Sequence, residues 1–441
     1  MDIYNLVSFV GIFILLGLAW LFSSNKRNIN YRVILWAIVL QFIFASFIFL
    51  VPQGAKFFLF LNNIVVSVLE SASAGAEFLF GRLALPPGTQ NEYGESSLGF
   101  FLAFQALPTI IFFSALMSIL YYFNVMQRVI KAFSNTFTKL MRISGAESLS
   151  AASNIFVGIE SSLTIKPYLN DMTRSELCTV LTAGMATVSS NILALYVFSL
   201  QNQFPTIAGH LISASILSAP AAVVMSKVIV PEDSVPKTLG TNVDPYYDKE
   251  GSLFEAIING AENGVKLIIG IVALLIAILG LVALLDLIIG GVGLHINNLI
   301  GLNIDWSLKG FMGYLFYPLT LIIGVPLSDA YTVSKIIGER TIVTEVVSYN
   351  NLAYALEHGL LQHSRSSIVT AYALCGFAHL ASMAIFVGGV AALAPSRKKD
   401  IAAMGFRALI AATLACLMTA CIAGVFFSES SIVLRTNVLS F

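Results

Sequence analysis

Long apolar runs alternate with short polar punctuation along this chain, and eight of them have the length of a membrane-crossing helix. They fall at about residues 3–23, 33–51, 98–123, 176–199, 208–230, 262–288, 367–392 and 405–427. A hydrocarbon layer about 30 Å thick is crossed by about 20 residues, so each run predicts one spanning helix. The first run follows Met1-Asp2 with no basic stretch before it and no small-residue cleavage pattern after it, which reads as a span rather than a signal peptide. Composition agrees: of 441 residues 57% are apolar and 11% charged, and the mean hydropathy is +0.85. The expectation is an all-α polytopic protein of the lipid bilayer.

Two stretches, 146–172 and 311–352, are apolar but interrupted by Gly, Pro, Ser and carboxylates. Irregular backbone survives at membrane depth only where protein or a watery cavity satisfies its polar groups, which predicts two re-entrant hairpins. Each precedes a pair of spans, so the pattern occurs twice, as in inverted-repeat transporters with a site near the midplane. Residues 125–144 differ again. Arg128, Lys131, Lys139 and Arg142 alternate with Val129, Ile130, Phe133, Phe137, Leu140 and Met141 at helical spacing, which predicts an amphipathic helix on the membrane surface.

The resulting division is 1–124, N-terminal scaffold helices; 125–145, the interfacial helix; 146–230, the first hairpin with its helices; 231–310, a Pro- and Asp-rich loop, a scaffold helix and an external surface helix over Gly290 to Trp306; and 311–428, the second hairpin with its helices. Basic residues orient it. With both termini outside, the inner segments hold Lys26, Arg27, Arg32, the interfacial helix, Lys237, Lys249, Arg397, Lys398, Lys399 and Arg407, against Lys56, Arg82, Lys309 and Arg435 outside. That asymmetry points to a cell (inner) membrane protein with N- and C-termini out. Lys plus Arg, 24, equals Asp plus Glu, 24, so charge gives no reason to expect nucleic acid. Cys178, Cys375, Cys416 and Cys421 lie in apolar runs without a metal-ligand pattern and read as packing residues.

Candidate chemistry concentrates in the broken stretches. Glu160 lies in Asn154-Ile-Phe-Val-Gly-Ile-Glu160, and Glu345 opens Glu345-Val-Val-Ser-Tyr349. Carboxylates at membrane depth are costly and usually face a substrate or an ion path. The alternatives are structural pairs: Glu160 with Lys166 or Arg340, and Glu345 with Arg340. Asp329 and Arg340 are expected to pair structurally. An intramembrane enzyme is disfavoured, because neither a nucleophile elbow nor a His-Glu-x-x-His pattern is present. Nor are there the ring-forming repeats of a selective channel.

Five blocks in order, Asn154 to Tyr168 with Glu160 and Lys166-Pro-Tyr, Gly324-Val-Pro-Leu-Ser-Asp329, Glu345 to Tyr349, Cys375-Gly-Phe-Ala378 and Pro395-Ser-Arg-Lys-Lys-Asp400, resemble the concentrative nucleoside transporter family over about residues 95–427. The resemblance implies a homotrimer whose protomers each move a transport domain like an elevator, importing a nucleoside with Na+, or alternatively H+. It places Glu160 against the base, Glu345 against the ribose hydroxyls, Phe377 against the nucleoside, His379 and Ser382 near the sugar, and Ile192 along the base side. It places Na+ between Asn154 and Val157 of the first hairpin and Thr187 and Val188 of an unwound helix, with no other cofactor. Amide, hydroxyl and free carbonyl oxygens suit a small hard cation.

Three positions depart from the family. Only Ile159 stands between Gly158 and Glu160, where the family has Gln and a small polar residue. Thr344 and His379 stand where it has Asn. Loss of a hydrogen-bonding partner shifts discrimination strongly, which points to a modified nucleoside or another ribosylated solute as the alternative substrate. His379 would also make transport sensitive to pH.

Overall fold

A computed structural model describes residues 2–91, 93–158, 161–247, 249–301 and 304–428. Within these the chain is helical, with no strand and only two isolated bridges, Gln90 with Ser96 and Ser144 with Leu239. Eight helical stretches are long and apolar enough to cross a bilayer: Ile3–Leu21, Tyr31–Phe49, Pro52–Leu83, Leu102–Tyr122, Arg174–Leu200, Ile207–Ile229, Leu253–Leu299 and Pro395–Phe426. Seven coincide with runs read from the sequence.

The helix Pro52–Phe80 was not anticipated, and its contacts set it along one rim of the molecule. Asn62 Nδ2 donates to Pro205 O at 3.2 Å and Asn62 Oδ1 accepts from Gly209 N at 3.1 Å, so its middle lies on the loop between two spans. Its far end meets the start of the next span, with the Phe80 and Phe104 rings 5.2 Å apart. Asn62, Asn63, Ser67, Glu70 and Ser71 interrupt its apolar run, which is why it escapes a search for clean spans.

At the centre, Ile207–Ile229 is buried along almost its whole length and packs on Tyr31–Phe49, Arg174–Ala186 and Lys398–Phe426. Lipid tails are as apolar as leucine, so close packing rather than water exclusion holds such helices together, and small residues permit it. The last helix is accordingly rich in buried small residues, among them Ala411, Ala412, Ala415, Ala420 and Gly424.

Leu253–Ile300 runs for 48 residues, about 72 Å at 1.5 Å per residue. No residue of its central apolar window is buried. It meets Leu107–Tyr122 through Gly260 and Gly264, where an added Cβ would lie 2.8 Å from Ala115 Cα and 2.6 Å from Ile111 Cα. The separate surface helix expected over Gly290 to Trp306 does not form. With no proline to stop it the long helix continues to Ile300, and Trp306 folds back to donate its indole N–H to Asn297 Oδ1 at 2.9 Å. The helix Val125–Met141 buries Met126, Ile130, Phe137 and Met141 on one face and keeps Arg128, Lys131 and Lys139 exposed.

Both expected hairpins are present as helix–turn–helix segments. The first begins at a capping box, Glu147 N donating to Ser144 Oγ at 3.1 Å, and its base is held by Lys227 Nζ 2.5 Å from Glu147 Oε1. The second pairs Leu327–Arg340 with Glu345–Glu357 about a tip at Thr341 to Thr344, and Leu308–Ile322 packs on its first helix. The run at about 367–392 is two half-helices, Ser364–Leu374 and Leu380–Leu393, separated by non-helical Cys375 to His379. The loop after Ile229 returns to the first hairpin: Gly145 N donates to Thr238 O at 2.8 Å, Gly240 N to Ile143 O at 3.1 Å and Tyr246 N to Thr164 O at 2.9 Å.

Candidate functional site

Each hairpin tip is joined to the break in a partner helix by the same kind of bond. The helix Arg174–Ala186 stops at Thr187, Ser189 is extended at φ −72°, ψ 144°, and helix resumes over Ser190–Leu200. Ser190 N, first in the resumed helix, donates to Phe156 O at the first tip at 3.0 Å. In the second repeat Leu380 N, first after the break, donates to Thr341 O at the second tip at 3.2 Å. Unwinding frees backbone groups that must find partners, and the tips provide them.

The four residues assigned to Na+ converge here. Asn154, Val157, Thr187 and Val188 are all buried. Ser215 Oγ lies 2.8 Å from Ile155 O and 3.4 Å from Val188 O, bridging tip and break. Asn154 Oδ1 accepts from Ser161 Oγ at 2.8 Å and Thr187 Oγ1 donates to Ala183 O at 2.8 Å. A carbonyl oxygen with one donor and a hydroxyl that is donating both retain lone-pair capacity, so this oxygen set fits a small cation.

The second tip carries Glu345 as the first residue of its helix, 3% exposed. Its Oε1 accepts the Tyr196 hydroxyl at 2.6 Å. Its Oε2 lies 2.9 Å from His379 Nε2, a pair that is ionic only when the imidazole is protonated. His379 caps Leu380–Leu393, its Nδ1 accepting from Ser382 N at 3.2 Å. That bond assigns the ring proton of the neutral form to Nε2, facing Glu345. Ser382 Oγ donates to Phe377 O and to His379 O, so it shapes the break rather than projecting from it. Thr344 is buried with an unpartnered hydroxyl, Phe377 is buried, and Ile192 is half-buried. Ile159 and Glu160 lie outside the described residues.

Two structural pairings are corrected. Glu345 binds Tyr196 and His379, not Arg340. Asp329 and Arg340 close opposite ends of one helix: Asp329 accepts from Gln362 N and His363 N, both at 3.0 Å, and Arg340 Nη1 donates to Ala373 O at 2.5 Å. Lys166 is drawn off to the Tyr246 ring, 5.8 Å from its centre.

A cavity of about 220 Å³ opens beside this arrangement, lined by Ser114, Tyr121, Val157, Thr164, Asn191 and Asn259 among others. It runs from the Tyr246 and Tyr247 loop to Val157 and Asn191, next to the candidate ion and substrate positions.

Known proteins share this layout. The family model described as "Na+ dependent nucleoside transporter C-terminus" matches residues 210–424, its N-terminal counterpart residues 10–83, and "Nucleoside recognition" residues 103–203. "Nucleoside permease NupC" of Helicobacter pylori is 37% identical over 431 residues, covering 96% of this chain and 98% of that protein. The chain belongs to the concentrative nucleoside transporter family.

Among the family's vertebrate members, human "Solute carrier family 28 member 3" is 36% identical over 96% of this chain, which spans only 60% of that relative's length. Solved structures of CNTnw are also similar. An inward-facing, substrate-bound state has a TM-score of 0.84 at 34% identity, covering 96% of this chain and 98% of that one. An outward-facing variant has 0.86 at 34% identity, covering 97% and 98%. As a member of a transporter family the chain is not an enzyme. Tyr196, Tyr349 and Ser215 were not singled out from the sequence. Tyr196 is four residues after Ile192, on one helical face, and stacks on Tyr349 with ring centres 4.5 Å apart. That spacing could have marked it.

Proposed function

We infer that this protein is a Na+-coupled symporter that imports a nucleoside across the cell membrane. The observation that carries this reading is Glu345, buried at the second hairpin tip, with one oxygen bound by Tyr196 and the other facing His379 Nε2 with lone-pair capacity to spare. An ionised carboxylate is acceptor-only and can take two hydroxyls, so Oε2 is available to a ribose hydroxyl. Phe377 and Ile192 would pack the nucleoside, Thr344, His379 and Ser382 would shape the sugar side, and Glu160, with Ile159 before it, would meet the base. Na+ would be held by Asn154, Val157, Thr187 and Val188, close enough to the first tip for ion and substrate to favour the same arrangement.

The hairpins with their broken helices would form the moving body of an elevator, and the outer helices its scaffold. The long exposed apolar face of Leu253–Ile300 supports assembly as a homotrimer, since a second copy would cover it. The cavity beside the inner loop supports an inward-open state with both termini outside. His379 and the short first tip favour a modified nucleoside or other ribosylated solute as the second reading of the substrate.

The test is uptake of a panel of radiolabelled nucleosides, C-linked and modified ones included, into proteoliposomes under an inward Na+ or pH gradient. Accumulation under Na+ alone is expected. Accumulation under a pH gradient alone would discard the ion assignment, and none under either gradient would remove nucleosides as substrates.

A further inference from the structure

Arg340 is the bulkiest fully buried side chain among the described residues. Its Nη1 is bonded to Ala373 O, while Nε and Nη2 have no hydrogen-bond partner among those residues. Neither neighbouring carboxylate serves it. Glu339 is taken by Lys309 at 2.8 Å and Asn351 at 2.5 Å, and Glu345 by Tyr196 and His379. A dry guanidinium without a counter-ion is strongly disfavoured unless something else supplies negative potential.

Helix ends supply it. Arg340 closes its own helix, and the half-helices ending at Leu374 and Ala186 also terminate here. Each helix C-terminus carries roughly half a negative charge on its free carbonyls. The Cys416 thiol lies beside the guanidinium and itself reaches Cys375 O at 3.1 Å and Ala186 O at 3.8 Å, so it stands between the cation and the carbonyl ends of both broken helices.

The repeats align on this residue. In the first, the hairpin helix ends on Asn154, the tip oxygen of Phe156 accepts from Ser190 N, and the partner helix breaks after Ala186. In the second, the hairpin helix ends on Arg340, the tip oxygen of Thr341 accepts from Leu380 N, and the partner helix breaks after Leu374. Arg340 therefore closes the second hairpin helix as Asn154 closes the first, one residue nearer the tip oxygen.

We propose that Arg340 is a tethered cation filling, in the second repeat, the place that a mobile Na+ takes in the first. The protein thus exchanges one cation per cycle while keeping two helix breaks neutralised. This rests on the Na+ site at Asn154 inferred above, and makes Arg340 a positioning residue that never leaves with the cargo.

The test compares the full-length wild type with R340Q, R340K and N154A. Two readouts are used: Na+ activation of uptake in proteoliposomes, and the shift of Tm with Na+ in detergent, choline replacing Na+. Wild type and R340K should activate with a Hill coefficient of about 1. R340Q, neutral and smaller, should admit a second Na+, with a coefficient approaching about 2 and a Tm that keeps rising after the wild type has saturated. A folded R340Q with the wild-type Tm response to Na+ overturns the proposal, as does R340K behaving like R340Q. If R340Q does not fold and R340K does, the charge is required and the proposal stands. If neither folds, the shape of the side chain is the requirement and it falls. N154A separates the two readings. Its Na+ response should be lost; a full response in N154A would sink the Asn154 site and this proposal together, whereas failure of R340Q alone leaves that site intact.

Discussion

The Tyr196 hydroxyl donates to Glu345 Oε1 at 2.6 Å, joining the helix resumed after the first break to the tip of the second hairpin, 149 residues apart in the chain. The pair is buried, and the Tyr196 ring is held in place by Tyr349, whose own hydroxyl donates to Ala371 O at 3.0 Å. The two repeats are thereby locked together through the group assigned to the substrate.

Tyr196→Phe removes that donor and leaves the stacking. A hydrogen bond to a charged group contributes about 1.5–3 kcal/mol, so the half-saturating nucleoside concentration for uptake should rise at least ~10-fold. An unchanged concentration dependence would detach Tyr196 from the substrate site.

His379 has two tasks, and two variants divide them. His379→Asn keeps a capping acceptor for Leu380–Leu393, whereas His379→Ala loses it at a cost of about 1 kcal/mol. Neither reaches Glu345. Thermal unfolding should thus spare His379→Asn and penalise His379→Ala, while uptake falls in both.

Ser215 bridges Ile155 O and Val188 O from outside the assigned ligand set. Ser215→Ala leaves those carbonyls without their shared donor, at about 1–3 kcal/mol for buried groups. The Na+ concentration for half-maximal uptake should rise, with nucleoside affinity at saturating Na+ nearly unchanged. A loss of both in equal measure would point to general misfolding of the tip.

Gly376 sits in the second break at φ 142°, and an added Cβ would lie 2.7 Å from Cys416 Sγ and 2.8 Å from Ala186 O. Gly376→Ala should therefore destabilise the fold by at least ~1–3 kcal/mol, read as a lowered Tm in detergent. A wild-type Tm would show that the break can relax.

Asp305, in the connection before the second hairpin, reports on acid stability. Burial pushes its carboxyl up, but hydrogen bonds from Lys335, at 2.6 Å, and Ser307 outweigh this and hold it below the usual aspartate range. A lowered folded-state value means stability that is present above the unfolded-state range, about pH 4, and lost as the pH falls through the folded one. The Tm gap between wild type and Asp305→Asn should be open at pH 7 and close in acid. A gap independent of pH would assign the effect to packing.

What could be read from the sequence follows the range of the forces involved. Spans, hairpins and breaks are local: runs of about 20 apolar residues, or Gly, Pro and Ser within them, decide each without reference to the rest. Pro52–Phe80 was missed because it is too polar for a clean span and too apolar for a loop, and only its bonds to Pro205 and Gly209 decide its place. The surface helix over Gly290 to Trp306 was drawn from its glycines, but glycine is tolerated in membrane helices. At the site, Glu345 stood out as a carboxylate in a broken apolar stretch, whereas Asn154 and Thr187 were marked by the family resemblance. Tyr196, Ser215 and the true partner of Arg340 depend on which helices meet, and no local pattern carries that.

The return of the connecting loop onto the first hairpin bears on how the protein is made. Thr238, Gly240 and Tyr246 bond to Gly145, Ile143 and Thr164, and every one of these residues precedes Leu253. All of them leave the ribosome before the second hairpin does, so the first repeat can be stitched shut ahead of it. Insertion becomes a sequence of two sealed halves, and the later half docks onto a surface already set.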